Sequence, residues 1–308
     1  MIDFGWIHPN NRTPVVKQIS EDLILGMPDF NLIGGTYTYQ PKVCLWDCVK
    51  AVTSKHLSCM KQLAGSCVGQ GKAKAEWYLM YADIIKRGDW ELAIMPYEPY
   101  GYSASRVCAG ISGSEDGSTG AGGAEAAKKY GVLSSEFPGL PKWKSYSNTV
   151  EWPGQLDKSW GMGPPDNKYI TEGRKHLVKT TALVKNVDQV IDALQNYYPI
   201  TTASSWGGRD KCPVVEGVLL NSRTGEWMHQ QMIAGFWDHP KLGQIFNINN
   251  SWGESFHGDN KVDDSPPGSY WVKRKDVEFM IAARDSFVYS QFDGFQIALL
   301  PPEAFKLI

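Results

Sequence analysis

Apolar residues recur at three- and four-residue steps between Cys67 and Lys86. Trp77, Met80, Tyr81, Ile84 and Ile85 mark one side, and Gly88 supplies a stop. This spacing predicts the clearest helix of the chain. A second helix is expected over about residues 122–130, ended by Gly131. A third is expected over 187–197, with Val187, Val190, Ile191 and Leu194 on one side. After Pro199 the period changes to strand-like runs. Residues 199–203 begin the series, 228–237 and 244–249 flank a turn at 238–243, and 268–272 follow. Helices thus fill the first half and strands the second, which predicts an α+β fold. Residues 1–40 are rich in turn formers, including Pro9-Asn10-Asn11 and Gly34-Gly35, and read as an extended arm. Residues 137–165, dense in Pro, Gly and Trp, read as loop.

Composition adds limits. The chain has 308 residues, 42% hydrophobic and 21% charged, enough to bury a substantial core. Its net charge of −2 argues against nucleic-acid binding driven by bulk charge. No stretch approaches the ~18 apolar residues of a membrane span. The N-terminus lacks the basic and apolar regions of a signal peptide. Twelve Trp and fourteen Tyr are many, and packing is their plainest use. The six cysteines, at 44, 48, 59, 67, 108 and 212, are too sparse for a disulfide scaffold, and no second pair joins Cys44 and Cys48 as zinc ligands. They read as buried free thiols, with no metal and no cofactor called for.

Two places carry candidate chemistry. Gly65-Ser66-Cys67 sets a thiol where the long helix begins. Unsatisfied N–H groups and the positive end of the helix dipole favour thiolate there. The N–H of Cys67 also points where an attacked carbonyl oxygen would gain charge. The second place is the hairpin turning near residues 240 and 241. Pairing about that centre puts His229 opposite residue 251 or 252, so that Asn250 is its neighbour. An Asn oxygen on one ring nitrogen fixes the tautomer and leaves the other nitrogen to face a thiol.

At several separate places the sequence resembles the papain-like cysteine peptidase family. Gly65-Ser66-Cys67 looks like its nucleophile motif. Asn250-Ser251-Trp252-Gly253 matches its Asn-Ser-Trp-Gly motif. The run from His229 to Gly235-Phe236, the strand at 268–272 and the Gly-rich stretch 117–132 are also similar. The resemblance covers about residues 55–295. It implies a two-lobed fold: 1–54 as an N-terminal arm packed on the body, 55–180 as a helical lobe carrying the Cys, and 181–308 as an antiparallel sheet or barrel lobe carrying His and Asn. It also implies that Cys67 attacks a peptide or amide carbonyl, that His229 as imidazolium protonates the leaving amine, that Asn250 holds the ring, and that Trp252 shields this contact. Hydrolysis of a thioester acyl-enzyme closes the cycle.

The sequence departs from that family in four ways. The oxyanion Gln usually lies six residues before the Cys. Here that position is Lys61, and Gln62, five before, is the candidate. Val68 and Phe256 replace common aromatics. Ala64 stands where papain has a disulfide cysteine, and no Cys follows Cys212, which suits a reducing compartment. Only 66 residues precede Cys67, more than a mature papain arm and fewer than a full inhibitory propeptide, so either the form is processed or no zymogen is expected. The resemblance therefore runs toward bacterial and phage-type relatives, and a cytoplasmic or virion-associated protein acting on a peptide or protein substrate is expected. Two other readings are a catalytically weak scaffold within a larger assembly, such as a phage virion, and a transglutaminase-like or cell-wall amidase fold. The Asn-Ser-Trp-Gly motif speaks against the last. His8, His56, His176, His239 and His257 read as surface or turn residues, with the cleft an alternative place for His257, which is near the Asn250 motif. Asp259, Asp263 and Asp264 read as a solvated acidic loop.

Overall fold

A computed structural model describes residues 2, 3, 5–32, 37–88, 93–146, 149–151, 154–259 and 262–292. The Gly34-Gly35 turn and the chain beyond residue 292 lie outside them. The central helix, Cys67–Arg87, ends where Gly88 takes a left-handed φ of 74°. Its periodicity suggested one apolar face, but the helix is buried nearly all round. It packs against the helices Leu45–Thr53, Glu98–Cys108 and Gly120–Lys129 and against the long strand Gly225–His239. Polar residues inside this helix therefore need partners. Lys72 bonds Glu76 one turn on, at 2.6 Å, and Lys74 reaches into the β lobe.

The main sheet runs in the order Ser269–Lys273, Gly243–Asn249, Gly225–His239, Ile200–Gly207, Ser286–Phe292 and Val178–Leu183. Neighbours on this path are antiparallel. Among the described residues the sheet stays open, so of the two expected forms the structure is the sheet and not the barrel. The hairpin turns where expected, with His239 opposite Gly243. A bulge between Ile233 and Gly235 shifts the register, so that Met232 pairs with Asn249.

The first forty residues differ from the extended arm. Pro14–Leu25 is a helix, with Thr13 capping Val16 N–H and Pro14 at its start. Ile2–Asp3 adds a short parallel strand beside Trp227–Met228, and Lys42–Cys44 pairs with Gly235–Trp237. The loop-like stretch 137–165 holds Lys144–Tyr146 and Thr149–Glu151, which form a small sheet with Cys59–Lys61, and the helix Gly154–Gly161. None of the six cysteines is in a disulfide. Among the described residues no helix is long and apolar enough to cross a membrane, and no cluster of three His, Cys, Asp or Glu is placed to hold a metal.

Candidate active site

Ser66 is the N-cap of the central helix, but its hydroxyl does not cap it. Instead Ser66 Oγ donates to Asp157 Oδ2 at 2.7 Å. Glu98 lies against the same carboxyl. Burial and the neighbouring charge push Glu98 well above its ordinary range, and burial pushes Asp157 up to about 6. Two carboxyls this close in a dry site share a proton at neutral pH. They anchor the turn that presents Cys67.

The sulfur of Cys67 accepts a hydrogen bond from the backbone N–H of Gln230 at 3.3 Å. The Gln230 side chain donates to the carbonyl of Val68 at 3.2 Å. The residue that follows His229 in the long strand thus grips the head of the helix, on the sulfur and one residue beyond it. His229 is itself buried. Its Nε2 lies 2.7 Å from Asn250 Oδ1, and the indole of Trp252 stacks on the imidazole at 4.6 Å and 21°. Asn250 Oδ1 also accepts the N–H of Ser251 at 2.7 Å. A backbone N–H can only donate, so the oxygen assignment is fixed. His229 must then carry its proton on Nε2, which makes Nδ1 the basic nitrogen of the neutral ring.

Three further groups brace this unit. Lys74, two turns along the central helix from Cys67, donates to the Asn250 carbonyl and to Asn249 Oδ1. Burial pulls its ammonium pKa down. Gln62 meets the motif from the other side. Its N–H donates to the Ser251 carbonyl at 2.9 Å, its Oε1 accepts from Ser251 Oγ at 2.7 Å, and its Nε2 donates to the Ala64 carbonyl at 3.1 Å. Finally, Asn250 Nδ2 lies 2.7 Å from Nε2 of His257. His257, read as a surface or turn residue with the cleft as the alternative, is fully buried beside the motif. Its ring lies among Tyr270, Phe256, Trp252 and Trp227. His239 lies at the hairpin turn and is buried, with its Nδ1 accepting the N–H groups of Lys241 and Leu242. Asp263 is likewise drawn in, bonded by Trp271 and Ser265.

The fold is similar to that of several solved cysteine proteases. Xylellain, from Xylella fastidiosa, matches with a TM-score of 0.53 at 17% identity, over 88% of this chain and 89% of its own. The digestive procathepsin L 3 of Tenebrio molitor larval midgut matches with a TM-score of 0.52 at 12% identity, over 90% and 79%. The proform of Amb a 11, a ragweed pollen cysteine protease, matches with 0.51 at 15%, over 89% and 74%. The chain has the papain-like fold. No family model and no curated protein matches the sequence.

Within the papain-like fold the site is covered. Cys67 is 0% exposed and His229 2%, and the arm lies against Cys67. Trp6 packs with Cys67, Val68, Ala203 and Met228. Its N–H donates to the Met228 carbonyl at 3.3 Å, while Gly5 and Ile7 bond the backbone of Ser118 at 2.8 and 2.9 Å. The indole Nε1 of Trp6 donates to Asp285 Oδ2 at 2.7 Å, and Arg12 pairs with the same carboxylate. Gly5 has φ of 102°, and a Cβ there would meet the Gly65 carbonyl oxygen at 1.9 Å, so only glycine fits. This burial has an electrostatic effect. Desolvation drives His229 down to about 3, against the Asn250 bond that raises it. The imidazolium expected from the sequence is therefore opposed in the covered state, where the ring is neutral.

Proposed function

We propose that the protein is a papain-like cysteine hydrolase that cleaves peptide or amide bonds in a peptide or protein substrate. The observation that carries this reading is the ordered unit at the head of the central helix. It consists of Cys67 bonded by Gln230 N–H and His229 held through Nε2 by Asn250 beneath Trp252. In this reading substrate enters when the arm leaves. Water then returns to this end of the cleft, the desolvation penalty on His229 relaxes, and Nδ1 takes the thiol proton. The Cys67 sulfur attacks the carbonyl carbon. The N–H of Cys67 and the side chain of Gln62, turned from the Ala64 carbonyl, stabilise the oxyanion. Such a donor contributes ~10²–10³ in rate. His229 returns the proton to the leaving amine, leaving a thioester. It then takes a proton from water as that water attacks, and the thiol is restored.

The closed cleft favours a second reading, in which the fold serves as a scaffold in a larger assembly. One experiment separates the two. Cys67 alkylation by iodoacetamide is followed against pH by peptide mass spectrometry in wild type and His229→Ala. Hydrolase chemistry predicts labelling that persists below pH 7 and collapses in the variant. Labelling that rises only near pH ~8.5, as for an ordinary thiol, and ignores His229 leaves the scaffold.

A further inference from the structure

His257 is an ionisable group of the site that the chemistry above does not use. It is fully buried, seven residues after Asn250, and is bonded to the amide that orients the base. We infer that His257 is a positioning residue: by accepting the Asn250 amide N–H at its Nε2, it locks the Asn250 side chain and, through it, the tautomer of His229. This inference rests on the hydrolase reading for its catalytic meaning, while its structural content stands alone.

The donors and acceptors close in only one way. Asn250 Oδ1 is committed to Ser251 N–H and His229 Nε2–H, so Nδ2 faces His257. An amide nitrogen cannot accept, so His257 Nε2 must be bare and its proton must sit on Nδ1. The backbone of Arg209 and Asp210 approaches the ring and favours its protonated form against burial, although no contact to Nδ1 reaches ordinary hydrogen-bond geometry. The His257 backbone is tied to the same loop, its carbonyl accepting Cys212 N–H at 2.8 Å. The aromatic rings around it exclude water, and burial drives His257 down to about 3, so it stays a neutral acceptor. Without this acceptor the Asn250 amide would carry an unpaired N–H in a dry pocket. Its cheapest relief is to rotate away, which releases His229.

The test is nitrogen-15 NMR of the histidine rings in the full chain, combined with Cys67 alkylation rates. In wild type we expect His229 as the Nε2–H tautomer and His257 as the Nδ1–H tautomer. Finding His257 protonated on Nε2 overturns the inference without any variant. His257→Leu should mix the His229 tautomers and slow His229-dependent alkylation by about tenfold or more, the scale seen when the partner orienting a functional histidine is removed. His257→Gln, whose Oε1 can accept the same N–H, should restore both. A His229 tautomer and rate that are unchanged in the Leu variant refute it, as does a Gln variant that folds yet fails to rescue. If wild-type alkylation ignores His229→Ala while the tautomers behave as stated, the hydrolase reading falls and the positioning contact survives.

Discussion

Replacing Trp6 by Ala tests whether the arm controls access to the sulfur. Trp6 is 1% exposed, packs on Cys67, Val68, Ala203 and Met228, and donates its indole N–H to Asp285. Removing a buried Trp side chain costs about 3–5 kcal/mol. Here the loss falls on docking of the arm, because Trp6 belongs to the arm and its partners belong to the body. At about 1.4 kcal/mol per tenfold, that raises the undocked population by roughly 10² to several times 10³ until the arm is fully released. When opening and closing are fast compared with labelling, the alkylation rate of Cys67 rises by the same factor. Iodoacetamide labelling read residue by residue carries its own control. Cys59 lies outside residues 1–54, is buried and is a free thiol, so it reports global opening. A Cys67 rate that stays at the wild-type value, or that climbs only in step with Cys59, refutes the assignment of the arm as the cover.

Two other outcomes follow from the buried titrating groups. His229 and His257 are both held to about 3 by burial, below the ordinary 6.5 of the unfolded chain. The unfolded state therefore binds more protons below pH ~6.5, and stability falls as pH drops, by about 2 kcal/mol per histidine between pH 7 and 5. Urea midpoints should show about half that loss in His257→Gln, and an equal slope in the two proteins would contradict the buried neutral pair. Asp157 is shifted the other way, up to about 6, so its ionisation weakens the fold as pH rises from about 4 to 6. Asp157→Asn keeps an acceptor for Ser66 and gives Glu98 a donor, and should be the more stable protein at pH 8 by on the order of 1–3 kcal/mol. Equal or lower stability there, measured by urea unfolding, would mean that the two carboxyls do not share a proton.

Much of the site was legible because its determinants are local. The N-terminal end of the Cys67 helix, the hairpin centre and the Asn-Ser-Trp-Gly run each depend on a few adjacent residues, and the observed register places His229 against Trp252 as the turn position implied. What stayed hidden depends on pairs far apart in sequence. His257 looks like a loop residue until Tyr270 and Trp227 close around it. Lys74 looks like the polar side of a helix until Asn249 and Asn250 arrive above it. The helix Pro14–Leu25 was missed for another reason. Its Thr13-Pro14 start is a sound local signal, but only Val16 and Ser20 on it are buried, so its apolar pattern is faint.

The contacts divide into two sets with different mechanical roles. Asn250 is held through its carbonyl by Lys74, through Oδ1 by Ser251 and His229, and through Nδ2 by His257. Each partner lies on the body, and loss of any one strands a buried polar group, so this set resists piecemeal opening. Around the sulfur the arm is held by one buried indole, a few backbone bonds to Ser118 and Met228, and the Asp285 carboxylate, and further out by the Ile2–Asp3 strand and by the Pro14–Leu25 helix packed on Gly120–Lys129. None of these bonds touches Asn250 or His257. Asp285 keeps two donors of its own when the arm departs, the N–H groups of Gly120 and Ala121 at 3.0 and 2.8 Å, so release strands no carboxylate. Access to the sulfur and the order of the His229 unit are therefore separable. A substitution in the arm should change how often Cys67 is reached and leave the tautomer of His229 unmoved, whereas one at His257 should do the reverse.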